Sequence, residues 1–144
     1  MTVLSDEEIQ SHIQNGKLAI IPFDATCLNG AGYDLRLGSE LIIEPASQKL
    51  TSTFERIELP ADLVGTLHIR SSLARAGIIG SLALVDPGFR GQLTISLFNS
   101  GSERFSMRER DRFIQLVLHP LSMKALRPYR GKYQDSQGIV DRRP

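Results

Sequence analysis

Leu63-Val64-Gly65-Thr66-Leu67-His68-Ile69-Arg70 sets Leu63, Leu67 and Ile69 on one face and Thr66, His68 and Arg70 on the other. A period of two marks a strand with one buried face. The pattern returns in Leu93-Thr94-Ile95-Ser96-Leu97-Phe98, and a third strong run fills residues 113–119, stopped by Pro120. Working outward, shorter β-rich runs occupy residues 17–23, 33–37, 41–43 and 51–59. They end at a loop, a Gly38-Ser39 turn, Pro45 and Pro60. Many short strands with Gly and Pro punctuation predict an all-β sandwich, jelly roll or barrel.

One helix precedes the strands. Ser5 followed by Glu8 is a capping box, and Leu4 and Ile9 stand at the hydrophobic-staple positions. Asp6, Glu7 and Glu8 favour the positive end of the helix dipole. Ile9 and Ile13 give one apolar stripe and Gly16 the stop, which predicts a helix over 5–16. Residues 127–144 are polar with no core pattern, a tail either disordered or ordered by a ligand. Residues 1–126 then form a single domain, and 144 residues suffice to bury a core.

The hydrophobic fraction of 41% and charged fraction of 23% suit a soluble globular chain. A net charge of +1 provides no field to recruit nucleic acid, so an anionic ligand needs a local cluster of donors. No apolar run could cross a bilayer. The acidic start lacks a signal-peptide core, and the expected compartment is the cytoplasm. Cys27 stands alone, which rules out a disulfide framework, and His12, His68 and His119 are scattered without zinc spacing. The H-x-E…P-C-x-x-C signature of zinc deaminases is absent, as are a Walker A loop and G-x-G-x-x-G.

Three segments could carry chemistry. Arg70-Ser71-Ser72 brings a guanidinium, hydroxyls and backbone N–H groups to a strand end, which suits a polyphosphate. Taken alone it reads as readily as a capped turn. Asp86-Pro87-Gly88 is a good β-turn sequence, and Asp86 could equally orient a water for attack on phosphorus. Ala31-Gly32-Tyr33-Asp34-Leu35 is by itself only a weak site signal.

In order along the chain these segments resemble the trimeric dUTPase and dCTP deaminase superfamily. Residues 31–35 are similar to the first dUTPase motif, and Leu59-Pro60…Gly65…Arg70-Ser71-Ser72-Leu73-Ala74 to the second. Val85-Asp86-Pro87-Gly88-Phe89-Arg90-Gly91 resembles the third and Arg112-Phe113-Ile114-Gln115-Leu116 the fourth. The early helix, the wording Arg70-Ser-Ser-Leu-Ala-Arg75 and the tail Lys132-Tyr133-Gln134…Gln137-Gly138 look more like the deaminase branch. The resemblance implies a jelly-roll-like distorted barrel and a homotrimer with active sites between subunits. It also implies a deoxypyrimidine triphosphate substrate, with Mg²⁺ held through the phosphates and no metal ligands from the protein.

The superfamily runs two reactions with different needs. Hydrolysis of dUTP to dUMP and pyrophosphate takes an acid that orients water at the α-phosphorus. Deamination takes a proton shuttle beside the base, and in the resembling deaminases a glutamate ten residues after the motif-three aspartate does this. Counting from Asp86, that position is Ser96. A lost general acid–base group costs about 10²–10⁴-fold, so the expectation is a dUTP diphosphatase. The alternatives are a dCTP deaminase or bifunctional deaminase/dUTPase, and a non-catalytic nucleotide-binding paralogue.

The roles implied by the resemblance follow. Asp86 is the catalytic base, and Arg70 orients it or binds phosphate. Ser71, Ser72 and Gln115 contact phosphates, with Arg75, Lys132 and Tyr133 as further phosphate candidates. Phe89 packs on the deoxyribose. Between Arg70 and Asp86 the expected base-reading hairpin is short and apolar (Ile78, Ile79, Leu82, Leu84), which leaves backbone groups or Ser81 to read the pyrimidine. The Gly-rich fifth dUTPase motif is absent. The tail matches the deaminase closing segment, with Ser136 where its glutamine stands and Gln137 one step on.

Overall fold

The computed structural model describes residues 2–144. The helix forms as its capping signals require, with α1 running Asp6–Gln14. Ser5 Oγ accepts from the Glu8 N–H at 3.3 Å, and the Ser5 N–H donates to Glu8 Oε2 at 2.9 Å. Gly16 stops the helix at φ +71°. Leu4 and Ile9 are both buried, which seats α1 on the core.

Ten antiparallel strands follow. One four-stranded sheet has the order β1 (Ala19–Ile21), β5 (Gln48–Glu58), β8 (Arg90–Asn99), β7 (Ile78–Ser81). The other has the order β2 (Leu28–Asn29), β3 (Gly32–Arg36), β10 (Arg112–Pro120), β6 (Leu63–Ile69). A two-stranded ribbon pairs β4 (Leu41–Ile43) with β9 (Phe105–Met107). Apart from the β2–β3 and β7–β8 pairs, consecutive strands fall in different sheets, so the chain crosses repeatedly from one to the other, as in a jelly roll. Ile57, Ile95 and Leu97 from the first sheet share a core with Tyr33, Leu35, Ile114, Leu116 and Leu118 from the second. The all-β fold matches the sequence reading. Among the described residues, no helix is long and apolar enough to cross a membrane.

A buried ion pair clamps the sheets. Glu55 on β5 has a fully buried carboxylate that accepts from Arg36 Nε at 2.6 Å and from the Arg36 N–H at 2.9 Å on β3. Arg36 also reaches Asp24 at 3.3 Å.

The tail departs from expectation. Residues 127–144 dock on their own chain. The Gln92 N–H donates to Ser136 O at 2.9 Å, and Ser136 bridges Gly91 in parallel register, which extends the first sheet at β8. The Gly138 N–H donates to Gln92 Oε1 at 2.6 Å and the Val140 N–H to Thr94 Oγ1 at 2.9 Å. Asp135 pairs with Arg56 at 2.8 Å and Arg90 at 3.4 Å. Gly91 permits this contact: φ is +142°, and a Cβ there would lie 2.9 Å from Ser136 N.

Candidate active site

The candidate residues fall into two groups at different places on the chain. The first lies on the β2-β3-β10-β6 sheet. Register sets Gln115 on β10 between Asp34 on β3 and His68 on β6. Asp34, only 8% exposed, takes Arg70 Nε at 3.3 Å, Arg112 Nη1 at 3.9 Å and Asn29 Nδ2 at 3.2 Å. Gln115 Nε2 donates to Asn29 Oδ1 at 2.9 Å, and Arg70 Nη1 donates to Arg112 O at 3.2 Å. Gly32 makes the close pairing possible, since a Cβ there would stand 2.5 Å from Leu116 O.

Arg70 is the N-cap of the short helix α2 (Ser71–Arg75). Ser71, Ser72 and Arg75 are exposed on it. Three segments far apart in sequence thus converge on two guanidiniums, two amides and two hydroxyls around one buried carboxylate. Such a donor set, with Asp34 fixing the arginines, suits an anion with several oxygens.

The second group surrounds the turn at residues 86–91. Val85 exchanges both backbone hydrogen bonds with Gly65 at 2.9 Å, and the Phe89 N–H closes the turn on Asp86 O at 3.1 Å. Asp86 is exposed, and among the described residues its carboxylate has no partner. Gly65 lies five residues before Arg70 on an extended strand. At ~3.3 Å per residue this separates the Asp86 turn from Arg70 by about 15 Å. Within one chain Arg70 therefore orients Asp34, not Asp86.

Phe89 lies beneath the tail. It is 7% exposed, with Tyr129 of the tail packed edge-on at 5.6 Å between centroids. Phe89, Tyr133 and outward-facing side chains of β5 and β8 line a cavity of 480 Å³ between the sheet and the tail. Tyr133 is half-buried, and its hydroxyl accepts from the Arg143 N–H at 3.1 Å. Lys132 Nζ donates to Arg143 O and sits 5.6 Å from the Tyr133 ring centroid. Asp135 has its carboxyl held below the ordinary range by hydrogen bonds from Arg56 and then Arg90.

Ser96 lies on the outward face of β8, opposite Leu50 and Ser81, and its Oγ accepts from Gln48 Nε2 at 2.9 Å. Sequence reasoning missed Gln48 and Asn29. Asn29, three residues before Gly32, could have been suspected from its place beside the first motif. Gln48 carries no local signal, because only strand pairing brings it to Ser96. Among the described residues, no three His, Cys, Asp or Glu side chains gather as metal ligands.

Comparison with known proteins bears on the family and the fold. The dUTPase family model matches residues 23–139. A dCTP deaminase of Pyrococcus abyssi is 42% identical over 139 residues, covering 86% of this chain and 90% of that protein. A probable deoxyuridine 5′-triphosphate nucleotidohydrolase of Sulfolobus islandicus rod-shaped virus 1 is 33% identical over 153 residues and covers 96% of each. The crystal structure of a dCTP deaminase from Agrobacterium tumefaciens superposes with a TM-score of 0.70 at 18% identity, over 81% of this chain and 46% of the other. A dUTPase from phage phi11 of S. aureus superposes at 0.63 and 19% identity, over 76% and 94%. These two structures bear on the fold alone.

Proposed function

This chain belongs to the dUTPase family, and on that premise we propose that it hydrolyses dUTP to dUMP and pyrophosphate. The carrying observation is Ser96. Where a deaminase of this superfamily would hold a carboxylate beside the base, the chain holds a hydroxyl bonded to a neutral amide. Neither group can shuttle protons near neutral pH. The free carboxylate of Asp86 is suited to hydrolysis: it accepts a proton from water as the water oxygen bonds to the α-phosphorus. The bond from that phosphorus to the bridging oxygen breaks, and pyrophosphate leaves with the electron pair.

Arg70, Ser71, Ser72, Arg75 and Gln115 hold the phosphates and balance the growing charge. Phe89 shapes the sugar end of the pocket, and Lys132 and Tyr133 close it. Mg²⁺ fits a site whose ligands are phosphate oxygens, and there it would neutralise the triphosphate. Asp86 and Arg70 lie about 15 Å apart along one chain. Two subunits of a homotrimer therefore complete each site, one offering Asp86 and its tail, the other the arginine-serine group. The expected compartment is the cytoplasm.

A second reading, deamination of dCTP alone or ahead of hydrolysis, is favoured by the relatives. In that reaction water adds at C4 of cytosine, the C4–N bond breaks, and the 4-amino group leaves as ammonia to give uracil. The relatives that bear the name dCTP deaminase, such as those from Pyrococcus abyssi and Thermococcus gammatolerans at 42% and 44% identity, point to it more directly than to hydrolysis. The Asp86→Asn variant tests the leading reading. It should bind a non-hydrolysable dUTP analogue as the wild type does while its kcat falls about 10²–10⁴-fold. Unchanged turnover would remove Asp86 from the chemistry.

A further inference from the structure

The apolar 71–85 hairpin leaves the pyrimidine without a side chain to read it, and the cavity beneath the tail supplies one. Asp141 and Arg142 on its wall are charged, and most of the neutral polar side chains there are already committed. Gln92 spends its N–H groups on Thr53 O and Phe54 O and its oxygen on the Gly138 N–H. Thr94 Oγ1 serves Gly138 and Val140, the Tyr133 hydroxyl accepts from Arg143, and Ser136 Oγ donates to Tyr133 O. Gln48 differs: its single side-chain bond is Nε2 to Ser96 Oγ at 2.9 Å. One further N–H and the whole carbonyl oxygen stay open.

We propose that Gln48, anchored by Ser96, reads the hydrogen-bonding edge of the pyrimidine; this rests on the nucleotide reading above. An amide that gives its outer N–H to Ser96 presents its oxygen and its other N–H side by side. Uracil offers the complement, an N3–H donor next to a ring carbonyl. Cytosine offers the reverse, an acceptor at N3 next to a donor amine. It pairs with the same amide turned over, and the Ser96 hydroxyl can then donate instead of accept. Leu50, which also lines the cavity, supplies apolar surface for a ring face. The residue that replaces the deaminase carboxylate thus becomes the support of a base reader.

Calorimetric titration with dUMP and with 2-deoxyribose 5-phosphate, which lacks the base, tests this. Gln48 is exposed at the start of β5, so Gln48→Leu should leave the fold intact. In that variant dUMP affinity should fall about ten- to hundredfold while the base-free ligand binds as before. Ser96→Ala, which removes only the anchor, should show the same selective loss at a smaller size. Unchanged dUMP affinity in both variants, equal loss of both ligands, or a wild type that does not favour dUMP over the base-free ligand would each overturn the assignment. A wild type that favours dUMP but hydrolyses no dUTP would overturn the hydrolase reading and leave Gln48 standing.

Discussion

On the β2-β3-β10-β6 sheet, buried Asp34 grips Arg70 and Arg112 through ladder-aligned strands, whereas at the 86–91 turn Asp86 stands exposed without a partner. The first region is assembled before any substrate arrives. Strand register fixes Gln115 beside Asp34, and Asp34 fixes the arginines. The second is built from a turn and a tail that rests on a few hydrogen bonds and exposed ion pairs. Such segments open at little free-energy cost. The contrast suits a site in which a rigid cradle holds charge while a closable surface takes the base and the water. It also means that mutations in the two regions should fail in different ways.

The largest effect should come from Asp86→Ala. Steady-state kinetics should show kcat down about 10²–10⁴-fold, and thermal unfolding should move by no more than the ~0.5 kcal/mol typical of exposed sites. A large stability loss would mean that the free carboxylate has a structural role. Asp34→Ala should do the opposite. It strands two guanidiniums, and denaturant melts should show a loss of about 2–3 kcal/mol. This falls below the cost of breaking a fully buried pair because Arg70 is a third exposed. KM for the triphosphate should rise as well.

Gly91→Ala puts a Cβ against Ser136 and strains a positive-φ position, at about 1–3 kcal/mol. Limited proteolysis should then cut within residues 127–144 while the barrel stays intact. Loss of the barrel instead would show that the tail is part of the core. The smallest effect concerns acid. Asp135 has its carboxyl lowered from 3.8 by Arg56 and then Arg90. Its contribution to docking is therefore present above the unfolded value and is lost as pH falls through the folded one. The Val140 amide resonance should hold from neutral pH down to about 4 and shift below it, an onset set by the ordinary Asp range. A shift centred near pH 6.5 would point to a histidine instead.

The sequence was most legible where a signal is local. The capping box at Ser5 and Glu8 specified α1, and alternation specified β6 and β8, because burial of one face repeats every second residue. Strand β9 pairs over only three positions, too few for a period to stand out against polar flanks. The tail eluded the reading because it docks through backbone groups, ion pairs and only two core-packed tyrosines, Tyr129 and Tyr133, too few to leave an apolar period. Among the site residues, Gln115 lies on β10 and Arg70 caps the helix that follows β6, and both stand beside Asp34. The pairing of Arg70 with Asp34 was not legible, because alternation gives the face of a residue but not which strand lies beside it. Gln48 was invisible for a related reason: its meaning depends on the β5–β8 register.

The most direct test of the account is ion-exchange analysis of products after wild-type protein is mixed with Mg²⁺ and either dUTP or dCTP. The account predicts dUMP and pyrophosphate from dUTP, with dCTP left intact. Release of dUTP or dUMP from dCTP would contradict it, because deamination would then proceed with serine at position 96. Intact dUTP would contradict it equally, leaving a chain that binds nucleotide without turning it over.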